Sequence, residues 1–302
     1  MSEADGPRII DYGESTYKRD FWVEERQYEG LAERFALRRL LPARGGRILD
    51  IGAGFGRLAP LYGDYDEAVL LDYSEDGLRD ARRDWGDAKF RYAAANWYSL
   101  PFADGAFDTV VSVRVLHHAE DLPALMREIA RVLAPGGTYV LEFANKRNLK
   151  AILRFALRRQ RWDPFALEPV EYHPMHWDFH PRWMRELLIR LGFSIERTLT
   201  VSHFRAGFLK RLVPAPILGR ADAALQWTGR YFQLTPSVFM RARAAGQPQA
   251  AANRPLYRCP RCAGIPVQAE GGLSCPSCGQ FYPIQDGVLM FKPAATTKTK
   301  PV

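Results

Sequence analysis

The stretch ILDIGAGFGRLAP, Ile48 to Pro60, sets three glycines at alternate positions behind an aspartate and an apolar run. The run reads as a buried strand. Glycines at its end let the chain turn sharply and let a ligand approach the backbone. A helix is expected to follow, around 54–62. The dinucleotide fingerprint spaces its glycines as G-x-G-x-x-G and sets a pyrophosphate on the helix N-terminus. Here the spacing is G-x-G-x-G, with Asp50 ahead of it. A carboxylate beside the loop suits a ligand with an ammonium group better than one with phosphates.

S-adenosylmethionine is such a ligand, with an amino group, a sulfonium and no phosphate. Two further stretches agree with it. LLDYS puts Asp72 after a second apolar run, where an acid can accept both ribose hydroxyls. AAANWYSLPF puts Asn96 and Trp97 after a third run, where an amide can bond the adenine edge and an indole can cover its face.

Around this loop, strand and helix signals alternate. Strands are expected at RILDI, AVLLD (68–72), FRYAAA (90–95), FDTVVSV (107–113) and TYVLEFA (138–144). Helices are expected at 24–41, around 54–62, at 76–84 and at 121–133, the last stopped by LAPGG. HPRWMRELLIRLGF reads as a further helix, and SIERTLTV and PSVFMRARA as two closing strands. Short apolar strands alternating with helices predict an α/β fold whose parallel sheet is covered on both faces. The expected domains are a helical cap at 1–45, an α/β domain at 46–242 with lid elements near 145–185 and 203–235, a linker at 243–256, a compact module at 257–293 and a disordered tail at 294–302.

The module holds all four cysteines, as CPRC (Cys259, Cys262) and CPSCG (Cys275, Cys278). Two C-x-x-C pairs can close a tetrahedral four-thiolate zinc site, and so small a module cannot bury enough core unaided. Disulfides or redox pairs fit less well. MSEADGPRII lacks the layout of a signal peptide, and no apolar run approaches the length of a spanning helix. A cytoplasmic protein is the expectation. The net charge of +8 favours anionic partners and says nothing of fold.

ILDIGAGFGRLAP, LLDYSEDGLRDAR, SLPFADGAFDTVVSVRVLHHAED and EIARVLAPGGTYVLEF match, in order, the motifs of class I S-adenosylmethionine-dependent methyltransferases. Residues 46 to about 200 resemble the broad group (methyltransferase type 11) that includes quinone-biosynthesis C-methyltransferases. The resemblance implies a Rossmann-like seven-stranded sheet with its last strand antiparallel. It implies that Asp50 and the Gly52–Gly56 loop hold the methionine part, Asp72 the ribose, and Asn96 with Trp97 the adenine. Asn96 stands where the family often has aspartate. The full candidate cofactor set is Asp50, Gly52, Ala53, Gly54, Gly56, Asp72, Tyr73, Asn96, Trp97 and Arg114. CPSCGQFYPIQDGVLMF resembles the small zinc-ribbon proteins that activate methyltransferases, which often dock by strand addition. With both parts in one chain, an intramolecular or domain-swapped version is implied.

Methyl transfer needs alignment of the nucleophile and, for some acceptors, a base. His117 and His118 in VLHHAED are the catalytic candidates, against the alternative that they pack on the cofactor or cap the next helix. EPVEYHPMHWDFHPRWM gathers His173, His176 and His180, but its prolines and a missing fourth ligand argue against zinc there. It reads as an aromatic, polar lid, with Tyr17, Phe21, Trp22 and Tyr28 as its other side. In NKRNLKAILRFALRRQRW, Lys150, Arg154, Arg158 and Arg161 recur on one face, against Leu149, Ile152, Leu153, Ala156 and Leu157. Such a helix suits anionic lipid, RNA phosphate, or simply solvent.

The reading is a methyltransferase acting on a small, lipophilic acceptor, with peripheral membrane contact as an option and zinc in the ribbon. The alternatives are an RNA methyltransferase, which lacks a base-flipping motif such as N-P-P-Y, and a cofactor-binding scaffold without catalysis.

Overall fold

A computed structural model describes residues 26–251 and 254–292. Tyr17, Phe21 and Trp22 and the tail at 294–302 lie outside the described residues. The chain runs α1 (Gln27–Leu40), β1 (Gly45–Ile51), a 3-10 turn (Ala59–Tyr62), β2 (Tyr65–Asp72), α2 (Glu75–Trp85), β3 (Phe90–Ala94) and β4 (Phe107–Ser112). A second 3-10 turn (Leu116–His118), α3 (Leu122–Val132), β5 (Leu133–Ala144), α4 (Leu149–Ala156), β6 (Val170–His173), β7 (His176–Asp178) and α5 (Pro181–Arg190) follow. The chain continues with β8 (Ser194–Val201), α6 (Gly207–Leu212), α7 (Ala215–Leu225) and β9 (Ser237–Arg243). Its ribbon has β10 (Val267–Ala269), β11 (Gly272–Ser274), β12 (Phe281–Gln285) and β13 (Val288–Met290).

Eleven strands form one sheet, ordered β10-β11-β12-β13-β3-β2-β1-β4-β5-β9-β8. β3, β2, β1, β4 and β5 are parallel, and β9 runs antiparallel between β5 and β8. This is the expected seven-stranded layout. The two-residue period of β1 divides its side chains between two cores. Leu49 and Ile51 join Leu125, Met126 and Ile129 of α3 and Leu188 of α5 on one face. Ile48 joins Ala32, Ala36 and Leu40 of α1 with Leu78 and Ala81 of α2 on the other.

The ribbon extends this sheet in cis. Val288, Leu289 and Met290 pair in parallel with Tyr92, Ala93 and Ala94, and the Phe291 N–H donates to the Ala94 carbonyl at 2.9 Å. The alternation carries across the junction: Leu289 enters the α3 core, Val288 and Met290 the other. A bridge between Phe102 and Tyr257 ties down the ribbon's start. The described part of the linker crosses the N-terminal ends of the strands, where Ala251 N donates to Asp108 and Arg47 donates to the Ala251 and Arg254 carbonyls.

Two expectations are corrected. Residues 54–62 form turns and a short 3-10 segment, not an α-helix, because Gly54 and Gly56 take left-handed φ values that an α-helix excludes. The basic helix ends at Ala156, so Arg158, itself at φ 55, and Arg161 leave its face. Leu149, Leu153 and Leu157 stand exposed there. No helix among the described residues is long and apolar enough to cross a membrane.

Candidate functional site

The glycines after β1 serve different ends. Gly52 has φ 75, and a Cβ on it would lie 2.3 Å from Val115 Cγ2, so the loop closes against the end of β4. Gly54 has φ 52, and a Cβ there would meet nothing within 4 Å. Packing therefore accounts for Gly52, whereas the Cβ side of Gly54 fronts open space. The Gly54 N–H donates to Asp72 Oδ2 at 2.8 Å, and Ser74 N donates to Oδ1 at 2.8 Å. Asp72, half-buried, thus ties the end of β2 to the loop.

Asp50 lies beneath the loop, buried, with Oδ2 accepting from the Tyr62 hydroxyl at 2.8 Å. Burial pushes its carboxyl up to about 7, with Tyr62 and Arg57 acting in the opposite direction and Asp72 adding to the rise. Asn96 is exposed past β3, its Oδ1 accepting from Tyr98 N at 2.8 Å. Its neighbour Trp97 is buried in the α3 core, edge-on to Tyr98. Tyr73 is held by the ribbon: Lys292 lies 4.7 Å from its ring centroid and donates to its carbonyl at 2.9 Å and to Glu75 at 2.9 Å. Gly54, Asp72 and Asn96 lie at the ends of β1, β2 and β3, whereas the Trp97 indole packs into the α3 core.

Arg114 follows β4 with φ 62, a strained conformation for a side chain of its size. Its N–H donates to Glu142 Oε2 at 2.9 Å and its Nε to Glu33 Oε1 at 2.6 Å. Glu33, fully buried, also meets Arg57 at 2.9 Å. Burial alone would raise the Glu33 carboxyl, yet Arg114 and Arg57 hold it below the usual carboxylate range. This network bolts α1 to the loop region, and the sequence reading missed it. Glu33 sits within the hydrophobic face of α1, and an acid there was the available signal. Replacing Glu33 by glutamine is expected to destabilise the fold by about 3–5 kcal/mol, the usual effect of stripping one partner from a buried ion pair. Urea denaturation checks it.

The histidines regroup. His180 caps α5, its Nδ1 accepting from Arg182 N at 3.1 Å, and His173 is exposed. His176 instead meets His117 and His118, with ring centroids 5.8 and 4.8 Å away, and the latter two are 3.9 Å apart. Burial lowers His118 to about 4, and burial together with His118, Arg114, His176 and Arg26 lowers His117 far below its ordinary value. Both are neutral imidazoles at physiological pH. The lid segment 168–178 is a β6–β7 hairpin, which brings His176 across 58 residues to His118.

In the ribbon the four sulfurs lie within 4.8 Å of one another, with Cys259–Cys278 at 3.7 Å and Cys262–Cys275 at 3.5 Å. Those separations exceed a disulfide bond of about 2.0 Å. They approach the ~3.8 Å edge of a tetrahedron built on Zn–S bonds of about 2.3 Å. Both knuckles share one backbone design, Ala263 N donating to Cys259 O and Gly279 N to Cys275 O. The Tyr282 hydroxyl lies 3.0 Å from Cys259 Sγ, an outer contact of the kind that orients a metal ligand. The donor set fits zinc.

Residues 49–141 match the family model described as Methyltransferase domain, and residues 257–287 the one described as Trm112p-like protein. A Mycolicibacterium smegmatis protein, described as a probable S-adenosylmethionine-dependent methyltransferase, is 29% identical over 188 residues, 61% of this chain and 63% of that one. The ubiquinone/menaquinone biosynthesis C-methyltransferase UbiE of Yersinia enterocolitica is 36% identical over 110 residues, 33% of this chain and 44% of that one. The chain thus spans less than two thirds of the length of these curated relatives. The solved complex of the Haloferax volcanii Trm112 methyltransferase activator with a methyltransferase shares the fold. There the match covers 72% of this chain and 90% of that one, with a TM-score of 0.51 and 18% identity.

Proposed function

We infer that this chain, a methyltransferase-family domain continued by a Trm112p-like ribbon, transfers a methyl group from S-adenosylmethionine to a small, lipophilic acceptor. The observation that carries the reading is the open space over Gly54, bounded by the Asp72 carboxylate. When bound, S-adenosylmethionine supplies a methyl carbon already activated by its sulfonium. In this reading Asp50 faces the ammonium, Asp72 accepts from the ribose hydroxyls, and the Asn96 amide reaches the adenine edge. Gly52, Ala53, Gly54 and Gly56 give backbone access, Tyr73 and Trp97 support the adenosine side, and Arg114 braces the loop from below. His117 and His118 line the acceptor side. Exposed Leu149, Leu153, Leu157, Phe208 and Leu212 support a lipophilic acceptor or a lipid surface. The four cysteines are proposed to hold a structural zinc.

Calorimetry with S-adenosylmethionine tests the cofactor; absence of binding would end the reading. The pH dependence of affinity tests Asp50. Its carboxyl sits near 7 without ligand, and an ammonium neighbour pulls it down, so binding below pH 7 releases a proton. Affinity should rise about tenfold per pH unit up to 7, level off, and fall again as the ligand's own α-ammonium deprotonates at about pH 8. Asp50→Asn should flatten that slope.

A second reading, with RNA as acceptor, is favoured by an open groove along β8. Arg39, Arg185, Arg197 and Arg230 line it with exposed Trp227 and Tyr231, the mixture that grips phosphate and stacks bases. Transfer of labelled methyl groups into cell extract, fractionated into lipid, metabolite and RNA, separates the two.

A further inference from the structure

We propose that His117, His118 and His176 form a binding site for a divalent first-row transition-metal ion, distinct from the four cysteines of the ribbon. One ring nitrogen from each residue lies within 4.8 Å of those of the other two. The three rings come from two segments remote in sequence, the 3-10 turn after β4 and the turn of the β6–β7 hairpin. Their convergence is made by tertiary packing, not by local spacing.

Hydrogen bonds fix the tautomers of two of the three rings. His118 Nδ1 lies 3.1 Å from the Met175 carbonyl, and His176 Nδ1 lies 3.0 Å from the Pro174 carbonyl. A carbonyl oxygen only accepts, so each Nδ1 carries the proton and each Nε2 keeps its lone pair. Metal-ligating histidines characteristically give their other ring N–H to a backbone carbonyl in this way.

Both carbonyls belong to one turn, and that turn is held in place. Met175 takes φ 59, unusual for a side chain of its size, and its N–H donates to Glu171 Oε1 at 2.8 Å. The outer contacts of two rings therefore rest on a single strained, braced turn.

The donor set names the class of ion. Three imidazoles without a thiolate or carboxylate suit zinc, cobalt, nickel or copper, and disfavour magnesium and calcium. Three nitrogen ligands also leave a coordination position open, as in catalytic zinc sites. If the chain is the methyltransferase proposed above, that position takes an oxygen, nitrogen or sulfur atom of the acceptor. The site itself does not depend on that reading.

Cobalt(II) provides the test, in the full chain with zinc already in its ribbon. A second equivalent should bind and give ligand-field absorption without the intense thiolate-to-cobalt charge-transfer bands of a four-cysteine site. Since losing an outer contact weakens metal sites roughly 10–100-fold, His176→Ala and His117→Ala should each weaken cobalt more than that. Glu171→Ala, which removes the acceptor of the Met175 N–H, should fall within that range. His180→Ala, at the α5 cap, whose ring bonds Arg182 and not the trio, should bind as the parent does. Either alanine variant suffices if the other misfolds. A chain that takes no metal beyond the ribbon's, or whose second equivalent survives both substitutions, would overturn the site. The optical readout needs no methyl transfer, so a negative assay for activity leaves it intact.

Discussion

Chelating the proposed ribbon zinc, or replacing Cys275 by serine, should release residues 257–292 from the sheet and weaken S-adenosylmethionine binding about tenfold or more. A structural zinc contributes on the order of 10–16 kcal/mol to the folding of so small a module, far more than the short strands β10 and β11 can replace. Once the knuckles open, β13 loses its antiparallel partner β12 and has only β3 to hold it. Val288, Leu289, Met290 and Phe291, each at most 8% exposed, then return to water at about 1.5–3 kcal/mol apiece. The edge of β3 is bared, an invitation to aggregation.

The effect on the cofactor follows from Lys292. Its ammonium ties Glu75 and the Tyr73 carbonyl to the ribbon, and those residues flank Asp72 and Ser74. A looser β2–α2 turn lets Asp72 leave the Gly54 amide, and a tenfold weakening corresponds to ~1.4 kcal/mol. Limited proteolysis and calorimetry on chelated protein read the two consequences separately. A chelated chain that keeps both its protease resistance and its cofactor affinity would show that neither zinc nor the ribbon supports the site.

What the sequence disclosed and what it hid follow from the range of the interactions. The strand order rests on apolar runs and glycine stops, which are local, and β1 to β4 fell at RILDI through FDTVVSV. β5, in contrast, begins at Leu133 and takes in the LAPGG expected as a stop. The four cysteines were legible because two x-x spacings alone make a chelate. Residues 54–62 misled because the glycine loop was read as opening a helix, whereas Gly54 and Gly56 take left-handed φ values that forbid one. The regrouping of His176 with His117 and His118 was not legible. It depends on a hairpin turn at Pro174–Met175 whose only sequence mark, a proline, was counted as an argument against a metal. The Glu33–Arg114–Glu142 network was hidden for the same reason: charge partners 81 and 28 residues apart leave no periodic trace. Tyr28 lay where the cap was expected, but its hydroxyl donates to Asp222 at 2.6 Å, so it fastens α1 to α7.

Gly54→Val should abolish S-adenosylmethionine binding while leaving the chain folded, and Gly52→Ala should do nearly the reverse. Both glycines have positive φ, so any side chain costs about 1–2 kcal/mol of backbone strain at either position. They differ in what the new atoms meet. At Gly54 the new Cβ meets nothing of the protein within 4 Å, so backbone strain dominates the folding penalty, and the added bulk enters the space assigned to the ligand. Loss of close backbone approach there should weaken binding at least 100-fold, or ~2.7 kcal/mol.

At Gly52 the new Cβ lies 2.3 Å from Val115 Cγ2 and 2.7 Å from Val115 Cβ, so overpacking adds about 1–3 kcal/mol to the strain. That second penalty belongs to Val115 and should shrink in the double variant Gly52→Ala, Val115→Ala, whereas nothing in the chain can relieve Gly54→Val. Thermal unfolding beside calorimetry distinguishes the two glycines. A Gly54→Val protein that binds S-adenosylmethionine within a few-fold of the parent would mean that the ligand lies elsewhere. The open space behind β1 would then have lost the reading built upon it.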